Sequence, residues 1–302
     1  MRLASVAPLL WIAACAGPRL EMDVDARSAR VSSAGAPFAE VHYLAEPRPF
    51  VGPLLAPGGV DVTRAGADVR SQEPSPGLWL GYGDVDGYDF WRGTELGERI
   101  ALDSIFAQVG VTDAALVQCE YVWRVIRGGD VLRETRQLQF RDDGDVRTID
   151  VLSVLRPVGE RVVFGDSANG GFALRLRPEL RGESHGAPAA LRDSEGLCGG
   201  DVSNGRARWL DASGVVGDAR VGVAVFDHPD NLRHPARWRA GPDGLLVCDP
   251  FAVVASGATA HAGVGFELQQ GRPLKLRYRV VLHRGLGAEQ LDAMWSEWAA
   301  AR

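Results

Sequence analysis

The fold is decided by residues 116–164, which read LVQCEYVWRVIRGGDVLRETRQLQFRDDGDVRTIDVLSVLRPVGERVVF. Three long apolar runs, at residues 116–126, 131–140 and 146–158, are separated by turns rich in glycine, aspartate and arginine. A fourth, shorter run follows at residues 161–164. Alternating runs joined by such turns are the usual signal of hairpin-connected strands. The stretch therefore predicts at least four antiparallel strands.

The rest of the chain agrees with an all-β protein that ends in one helix. Its 302 residues are 46% hydrophobic, which is enough for a sizeable core in a single domain. The 37 glycines and 17 prolines suit many short strands joined by turns. Residues 273–283 alternate like another strand. Residues 288–302 show the spacing of a helix with one packing stripe, formed by Leu291, Met294, Trp295 and Trp298.

Charge and cysteine usage exclude several kinds of partner. The net charge is -6 and no basic block occurs, so we expect no nucleic-acid partner. Neither a C-x-x-C nor a His-x-x-x-His spacing is present, and the sequence predicts no metal and no cofactor. Cys119 and Cys248 lie inside apolar runs, which predicts small buried residues. Together with Cys198 they allow one intrachain disulfide at most.

The amino terminus predicts export and a lipid anchor. Residues 3–14 form an apolar stretch too short to span a bilayer, and the following Cys15 completes a sequence that resembles a bacterial lipobox. An ordinary secretory signal is the alternative. We expect a signal peptide at residues 1–15, a flexible tether at 16–37 and one domain at 38–302. The protein would then sit in the cell envelope, attached to the membrane only through lipid on Cys15.

The candidate site lies in residues 221–251, where two apolar runs flank a polar cluster. Two strands in these runs would present the cluster at one edge of a sheet. Histidine titrates near neutral pH, so we expect His228 and His234 to act as acid or base. For His228, a loop anchor bonded to the backbone is an equal alternative. The predicted carboxylate partners are Asp227, Asp211, Glu134 and Asp166.

Other polar and aromatic residues are predicted to hold a substrate: Trp79, Arg136, Arg175, Asp211, Asn231 and Trp238. In residues 77–91 aromatics alternate with aspartates, which fits a sugar-binding surface or, equally, core packing around a glycine-rich turn. Glu134 and Arg136 share the apolar face of one predicted strand. Such a pair is either an internal ion pair or the floor of a cleft.

Several motifs resemble a known family. Residues 77–91, 163–177, 207–214, 221–238 and 244–251 are similar, in this order, to motifs of secreted bacterial proteins that carry the name "methane oxygenase PmoA". The resemblance covers the chain from Val41 to its end. It implies a large antiparallel β-sandwich, related to the galactose-mutarotase-like sandwiches, in bacteria that degrade polysaccharides. The family name also implies metal-dependent oxygenation, which requires a histidine and carboxylate ligand set.

The chain departs from this family at one motif. Relatives carry Asp-His-Pro-His-His-Arg-Gly before residues 77–91, whereas this chain reads SQEPSPG at residues 71–77. The second histidine motif, with His228 and His234, is intact. Three hypotheses follow: an enzyme that epimerises, mutarotates, eliminates or hydrolyses carbohydrate, a non-catalytic carbohydrate-binding or assembly protein, and a metal-dependent oxygenase.

Overall fold

The computed structural model describes residues 19–63, 77–110, 114–181, 190–252 and 265–301. These residues form strands, two short 3₁₀ turns at Pro178–Leu180 and Gly199–Val202, and a helix α1 at Ala288–Ala300. The strands are β1 Leu20–Val24, β2 Ser28–Ser33, β3 Ala36–His42, β4 Phe50–Leu54, β5 Leu78–Tyr82, β6 Glu98–Val109, β7 Ala114–Val125, β8 Gly129–Asp142, β9 Val146–Pro157, β10 Arg161–Phe164, β11 Gly170–Arg175, β12 Ala190–Asp193, β13 Trp209–Val216, β14 Ala219–Asp227, β15 Arg237–Ala240, β16 Leu245–Asp249, β17 Phe266–Gln269 and β18 Leu274–His283.

Two antiparallel sheets of eight strands each make up most of the molecule. The first sheet has the order β1-β2-β3-β4-β5-β11-β16-β15, and the second has the order β12-β13-β14-β18-β9-β8-β7-β6. Aromatic pairs join the sheets across a shared core: Tyr82 stacks on Trp123 at 5.8 Å and Phe172 on Tyr278 at 4.3 Å between ring centroids. The predicted antiparallel β-sandwich with a C-terminal helix is confirmed.

The predicted meander forms the centre of the second sheet. Strands β7, β8 and β9 are consecutive neighbours with continuous antiparallel register. In β8 the buried positions alternate strictly from Leu132 onward, and Leu132, Leu138 and Phe140 lie in the core. The fourth predicted strand, β10, exists but pairs with β17 in a separate two-stranded sheet. Local turns therefore make β7, β8 and β9 neighbours, as predicted. The pairing of β10 with β17 joins segments that are far apart in the sequence.

Helix α1 packs against the outer face of the second sheet. Its buried Leu291 and Trp298, with Met294 and Trp295 at their sides, cover an apolar patch on β13, β14 and β18. This is the stripe that the helical spacing predicts. The helix thereby covers the end of β14, where Asp227 closes the strand.

The predicted tether at residues 16–37 is wrong over most of its described part. Strands β1 and β2 and the start of β3 occupy residues 20–37 and extend the first sheet. Leu20, Ala29 and Val31 are buried, although charged residues surround them in the sequence. A strand with one polar face buries only every second side chain. The average polarity of this segment is therefore high, and it does not indicate strands. The predicted signal peptide and Cys15 lie outside the described residues.

Cys119, Cys198 and Cys248 are free thiols, and the first and last of them are buried, as their apolar surroundings predict. Burial raises the pKa of the Cys248 thiol well above its usual range. Within the described residues, no helix is long and apolar enough to cross a membrane.

Candidate functional site

The site is built around a histidine held by a buried carboxylate. Nδ1 of His234 lies 2.8 Å from Oδ2 of Asp227, a residue with no exposed side-chain surface. A carboxylate can only accept, so the neutral imidazole carries its proton on Nδ1 and its lone pair on Nε2. Nε2 bonds to none of the described residues, and the His234 side chain keeps 14% of its surface exposed. The pair therefore presents a basic nitrogen of fixed orientation.

Asp227 has its bonding capacity filled by the loop that follows it, residues 228–236, which we call the histidine loop. Oδ1 accepts from the side-chain amide of Asn231 at 2.7 Å, and Oδ2 also accepts from the backbone N–H of Ala236 at 2.9 Å. Three donors on one buried carboxylate fix the path of the chain.

Asn231 continues the sheet with its side chain. Its amide donates to the carbonyl of Arg277 at 2.7 Å, and its carbonyl oxygen accepts from the N–H of Arg277 at 2.7 Å. The side chain thus replaces a strand backbone at the edge of β18. The predicted role of Asn231 in substrate binding is therefore corrected: its amide is committed to the backbone and to Asp227, and it positions the loop.

His228 anchors the loop from below. Its side chain is 2% exposed, and Nδ1 accepts from the N–H of Asp230 at 3.1 Å. Burial lowers the pKa of this imidazole, and the nearby Arg277 lowers it further, which favours the neutral ring. Its Nε2 is buried without a partner among the described residues. Of the two predicted histidines, only His234 is placed to meet a substrate.

Two tryptophans of α1 hold the histidine loop from outside. Trp295 stacks on His234 with ring centroids 5.9 Å apart and planes 10° apart, and its indole N–H donates to the Asp227 carbonyl at 2.9 Å. One turn later Trp298 meets the His228 ring edge-on at 4.9 Å. The helical spacing predicts a packing role for both tryptophans. Their contacts with the loop could not be found from helical spacing, because the spacing does not say what the stripe covers.

A groove of about 620 Å³ runs between α1 and the outer face of the second sheet. Its floor carries the amides of Gln137 and Gln139 and the side chain of Arg277, and Trp298 forms part of its wall. Arg277 and Trp298 both contact the histidine loop, so the groove adjoins it. Amides, a guanidinium and an aromatic wall are groups that bind sugar hydroxyls and pyranose faces.

Glu134 and Arg136 form an internal ion pair. Arg136 binds both oxygens of Glu134, at 2.7 and 2.8 Å, and the same oxygens accept from Trp123 and Ser153 at 2.8 Å each. A cavity lined by Arg136 holds about 20 Å³, the space of one water. The predictions of Glu134 as a catalytic carboxylate and of Arg136 as a substrate ligand are therefore corrected, because both side chains are enclosed between the sheets.

The aromatic residues of 77–91 are also packing residues. Trp79 is 3% exposed, lies 5.3 Å from Trp91 and has the guanidinium of Arg48 over its ring. Tyr82 and Phe90 are buried in the core. The structure thus favours the packing alternative over a sugar-binding surface, and Trp79 offers no open face for a substrate.

Three further predicted ligands are buried as well. Asp211 is fully buried between His283 and Arg192, at 3.0 and 2.9 Å. Trp238 is 1% exposed and donates its indole N–H to the carbonyl of Ala207. Arg175 is 3% exposed and paired with Asp243. None of them bonds to His234. Their predicted substrate-binding roles are corrected, because each side chain is buried and bonded to another residue of the fold.

One titratable residue near the site escaped the sequence analysis. Asp249 ends β16, and its Oδ1 accepts from the N–H groups of Phe251 and Ala252 at 2.8 and 3.2 Å. Burial raises its pKa to about 7, and Asp166 adds to this effect by charge repulsion, opposed by Arg239. The predicted carboxylate Asp166 lies on the loop between β10 and β11, and its charge acts on Asp249. In the sequence, Asp249 is marked only by its position as an aspartate directly after the apolar run of β16.

Metal ligands do not assemble in the described part of the chain. No three histidine, cysteine, aspartate or glutamate side chains come close enough together there to hold an ion. The SQEPSP segment at residues 71–76, where the family resemblance expects histidines, lies outside the described residues. The described residues therefore do not fit the metal that the family name implies.

The chain belongs to a family of unknown function, DUF6807, whose model matches residues 28–296. The match shows one family over most of the chain, and its description assigns no function. The match carries neither the methane oxygenase name nor a signal peptide, which stay predictions. Comparison with curated proteins finds no significant match.

Several solved structures resemble the fold. A galactose mutarotase-like protein from Clostridium acetobutylicum is 8% identical, with a TM-score of 0.46, over 89% of this chain and 99% of that one. The galactose mutarotase related enzyme from Lactobacillus acidophilus is 9% identical, with a TM-score of 0.37, over 87% and 97%. The Slr1438 protein from Synechocystis is 12% identical, with a TM-score of 0.39, over 94% and 100%. At these values the likeness does not establish a shared activity.

Proposed function

We propose that the protein is an enzyme that acts on carbohydrate by proton transfer at His234. The observation that carries the proposal is the Asp227–His234 pair: a buried carboxylate fixes Nδ1, and Nε2 remains available at a part-exposed position. A histidine whose second nitrogen is fixed by a carboxylate is the usual arrangement of a general base.

The chemistry of the pair follows from its hydrogen bonds. Nε2 would take a proton from a C–H or O–H group of the sugar, and the resulting imidazolium would be stabilised by the Asp227 carboxylate 2.8 Å from Nδ1. Returning that proton to the product or to the leaving oxygen completes the cycle. Two reactions balance with this single base: mutarotation, in which the proton passes from O1–H to the ring oxygen, and elimination, in which it passes from a C–H group to the leaving oxygen. Stacking on Trp295 keeps the ring in place while its charge changes.

Carbohydrate as the substrate class rests on the groove beside the histidine loop. The amides of Gln137 and Gln139 and the wall formed by Trp298 supply hydrogen-bonding groups and an aromatic surface in one continuous space. Sugars combine hydroxyls with apolar ring faces, and this lining suits both. The family resemblance, which implies polysaccharide-degrading bacteria, points the same way.

The experiment compares His234→Gln with the matched control His42→Gln, a part-exposed histidine of β3 that bonds to the Gly52 carbonyl. The full chain of each is incubated with a panel of oligosaccharides, and products are followed by NMR and by release of reducing ends. We expect turnover of at least one saccharide, a loss of about a hundredfold in His234→Gln, and no change in the control. Turnover that survives in His234→Gln would reject the proposal.

A non-catalytic carbohydrate-binding or assembly protein is the second candidate. It is favoured by the sequence at residues 71–77, which lacks the three histidines that relatives carry. It predicts that saccharides raise the melting temperature of the wild type and of His234→Gln equally, without any product. The same panel therefore separates the two functions.

We also propose attachment to the cell envelope through lipid on Cys15. Its support is the lipobox-like sequence at residues 12–15. Labelling of the producing bacteria with a radioactive fatty acid tests it: label on the wild type and none on Cys15→Ser is expected, and an unlabelled wild type would contradict the anchor.

A further inference from the structure

Three arginines converge beside the Asp227–His234 pair. Arg206 and Arg237 are bridge partners, and Arg233 directly precedes His234. Arg206 donates from Nη1 to the carbonyls of Arg233 and Pro235 at 3.2 and 2.9 Å. The positive charges are therefore brought together by the same loop that holds the histidine.

None of the three guanidinium groups has a carboxylate partner among the described residues. Arg237 donates to the carbonyl of Asn204 at 2.6 Å, and Arg233 donates to the carbonyl of Phe251 at 2.9 Å. Nε of Arg237 is buried without a hydrogen bond to the described residues. Carbonyl oxygens orient these side chains without neutralising them. This is unusual in a chain whose net charge is -6.

The mutual repulsion is felt within the cluster. The pKa of Arg206, whose side chain is only partly desolvated, is lowered first by that desolvation and then by the charges of Arg237 and Arg233, opposed by Asp227. Asp227, however, already receives hydrogen bonds from His234, Asn231 and Ala236. A bound anion would remove this repulsion.

Neighbouring carboxylates do not serve as that anion. Asp249 faces Arg237 across β15 and β16, but its Oδ1 is used by two backbone N–H groups, and a pKa of about 7 leaves it only partly ionised at neutral pH. The segment that follows it in sequence, residues 253–264, contains neither aspartate nor glutamate. No described carboxylate therefore neutralises the three arginines.

We infer that Arg206, Arg233 and Arg237 bind the carboxylate or sulfate group of an acidic saccharide, which they hold next to His234. The inference rests on the proposed function and narrows its substrate class from carbohydrate to acidic carbohydrate. Guanidinium groups suit both anions because their planar N–H donors match two oxygens at once. The site would also raise the local concentration of acidic chains in an otherwise acidic protein.

The test uses three trisaccharide probes of equal length: galacturonate, sulfated galactose and neutral galactose. Dissociation constants are measured by calorimetry with the full chain, with Arg206→Gln and with the control Arg156→Gln, an exposed arginine of β9. Arg206 is exposed, but its replacement also removes two hydrogen bonds to the histidine loop, at the carbonyls of Arg233 and Pro235. Arg233→Gln serves as a second variant, and circular dichroism checks the fold of all of them.

We expect at least one acidic probe to bind about tenfold more tightly than the neutral probe, with added NaCl reducing the difference. Arg206→Gln and Arg233→Gln should each remove about tenfold in affinity for that probe, and Arg156→Gln none. Whether galacturonate or the sulfated probe is preferred identifies the bound group. Equal binding of acidic and neutral probes, no binding of any probe, or wild-type affinity in both variants would overturn the inference.

Failure of this inference is distinguishable from failure of the proposed function. His234→Gln should bind the acidic probe like the wild type, because it leaves the arginines in place. Arginine-dependent binding without turnover of any saccharide would reject the enzyme and keep the anion site. Turnover that depends on His234 but is confined to neutral saccharides would reject the anion site and keep the enzyme.

Discussion

His234 differs from the other carboxylate-bound histidine of this chain in what its second nitrogen does. His283 also bonds to an aspartate, Asp211 at 3.0 Å, but its Nδ1 accepts two backbone N–H groups and its side chain is fully buried. Both ring nitrogens of His283 are therefore used in hydrogen bonds, and the His283–Asp211 pair is part of the protein interior. At His234 the second nitrogen bonds to no described residue and the ring is part-exposed. Exposure and unused bonding capacity, rather than residue type, mark the candidate base.

The raised pKa of Asp249 makes stability depend on pH in a defined direction. Its carboxyl has a pKa of about 7 in the fold, against an ordinary value of 3.8. The folded state therefore binds the proton more tightly, and the stabilisation is complete below the ordinary value and lost as the pH rises through about 7.

Asp249→Asn should remove this pH dependence. Asparagine keeps the oxygen that accepts from Phe251 and Ala252 but carries no charge to bury. We expect the free energy of unfolding of the variant, relative to wild type, to increase by on the order of 2 kcal/mol between about pH 5 and about pH 8. Urea denaturation at several pH values measures it, with Asp218→Asn, on the turn after β13, as control. A difference that is constant with pH would contradict the burial of a charged carboxyl.

At the residue scale the sequence predicted which residue types mattered but not which were exposed. Asp227, His228, Asn231 and His234 do come together, because a short loop after a strand cannot separate them. Glu134, Asp211, Arg175 and Trp238 were equally attractive by type, yet each faces an enclosed position. Burial of a polar residue depends on the strand that crosses it from elsewhere in the chain. Asp249 was missed for the same reason.

Helix α1 is the element that gives the histidine loop its shape. Its tryptophans touch His234 and His228, and its Asp292 binds both Arg208 and the indole N–H of Trp209, at 3.1 and 2.8 Å. The helix is thus attached to the sheet by polar as well as apolar contacts. A loop with two histidines and two prolines keeps one conformation because it is packed on one side by this helix.

Leu291→Ala tests the docking of α1. Leu291 is fully buried against the sheet, and removing its side chain leaves a cavity, so we expect the free energy of unfolding to fall by about 3 kcal/mol. The exposed Glu289 in the first turn provides the control, since Glu289→Ala should change stability by less than about 0.5 kcal/mol. Chemical denaturation measures both. Equal small effects would show that the helix is not held against β14 and β18.

Strands and the helix were predictable wherever their own side chains alternate or repeat with the period of that structure. The runs at 116–126, 131–140 and 146–158 became β7, β8 and β9, and the C-terminal stripe became α1. Strands β1 and β2 were mistaken for a tether because their exposed faces are highly charged. Edge position and a solvated face weaken the hydrophobic signal of a strand without removing its pairing.

At the scale of the whole molecule, the two sheets bring distant segments to one end of the sandwich. Strands β5, β11 and β16 are neighbours although many residues separate them, and β14 lies between β13 and β18. This order places the end of β14 beside β18, where Arg277 receives the side chain of Asn231. Hairpins follow from local turns, whereas these pairings depend on long-range register that no local pattern encodes. The sandwich class was predictable, and the position of the site within it was not.

The most direct test of the proposed function is the turnover of Asp227→Asn. Asparagine has nearly the same shape but no charge and only one accepting oxygen, so it cannot accept from His234, Asn231 and Ala236 together and cannot stabilise the imidazolium. With the saccharide that the wild type turns over, we expect the rate to fall by at least about a hundredfold. The dissociation constant should be unchanged and the circular dichroism spectrum native. Wild-type turnover by a folded Asp227→Asn variant would contradict proton transfer at the Asp227–His234 pair.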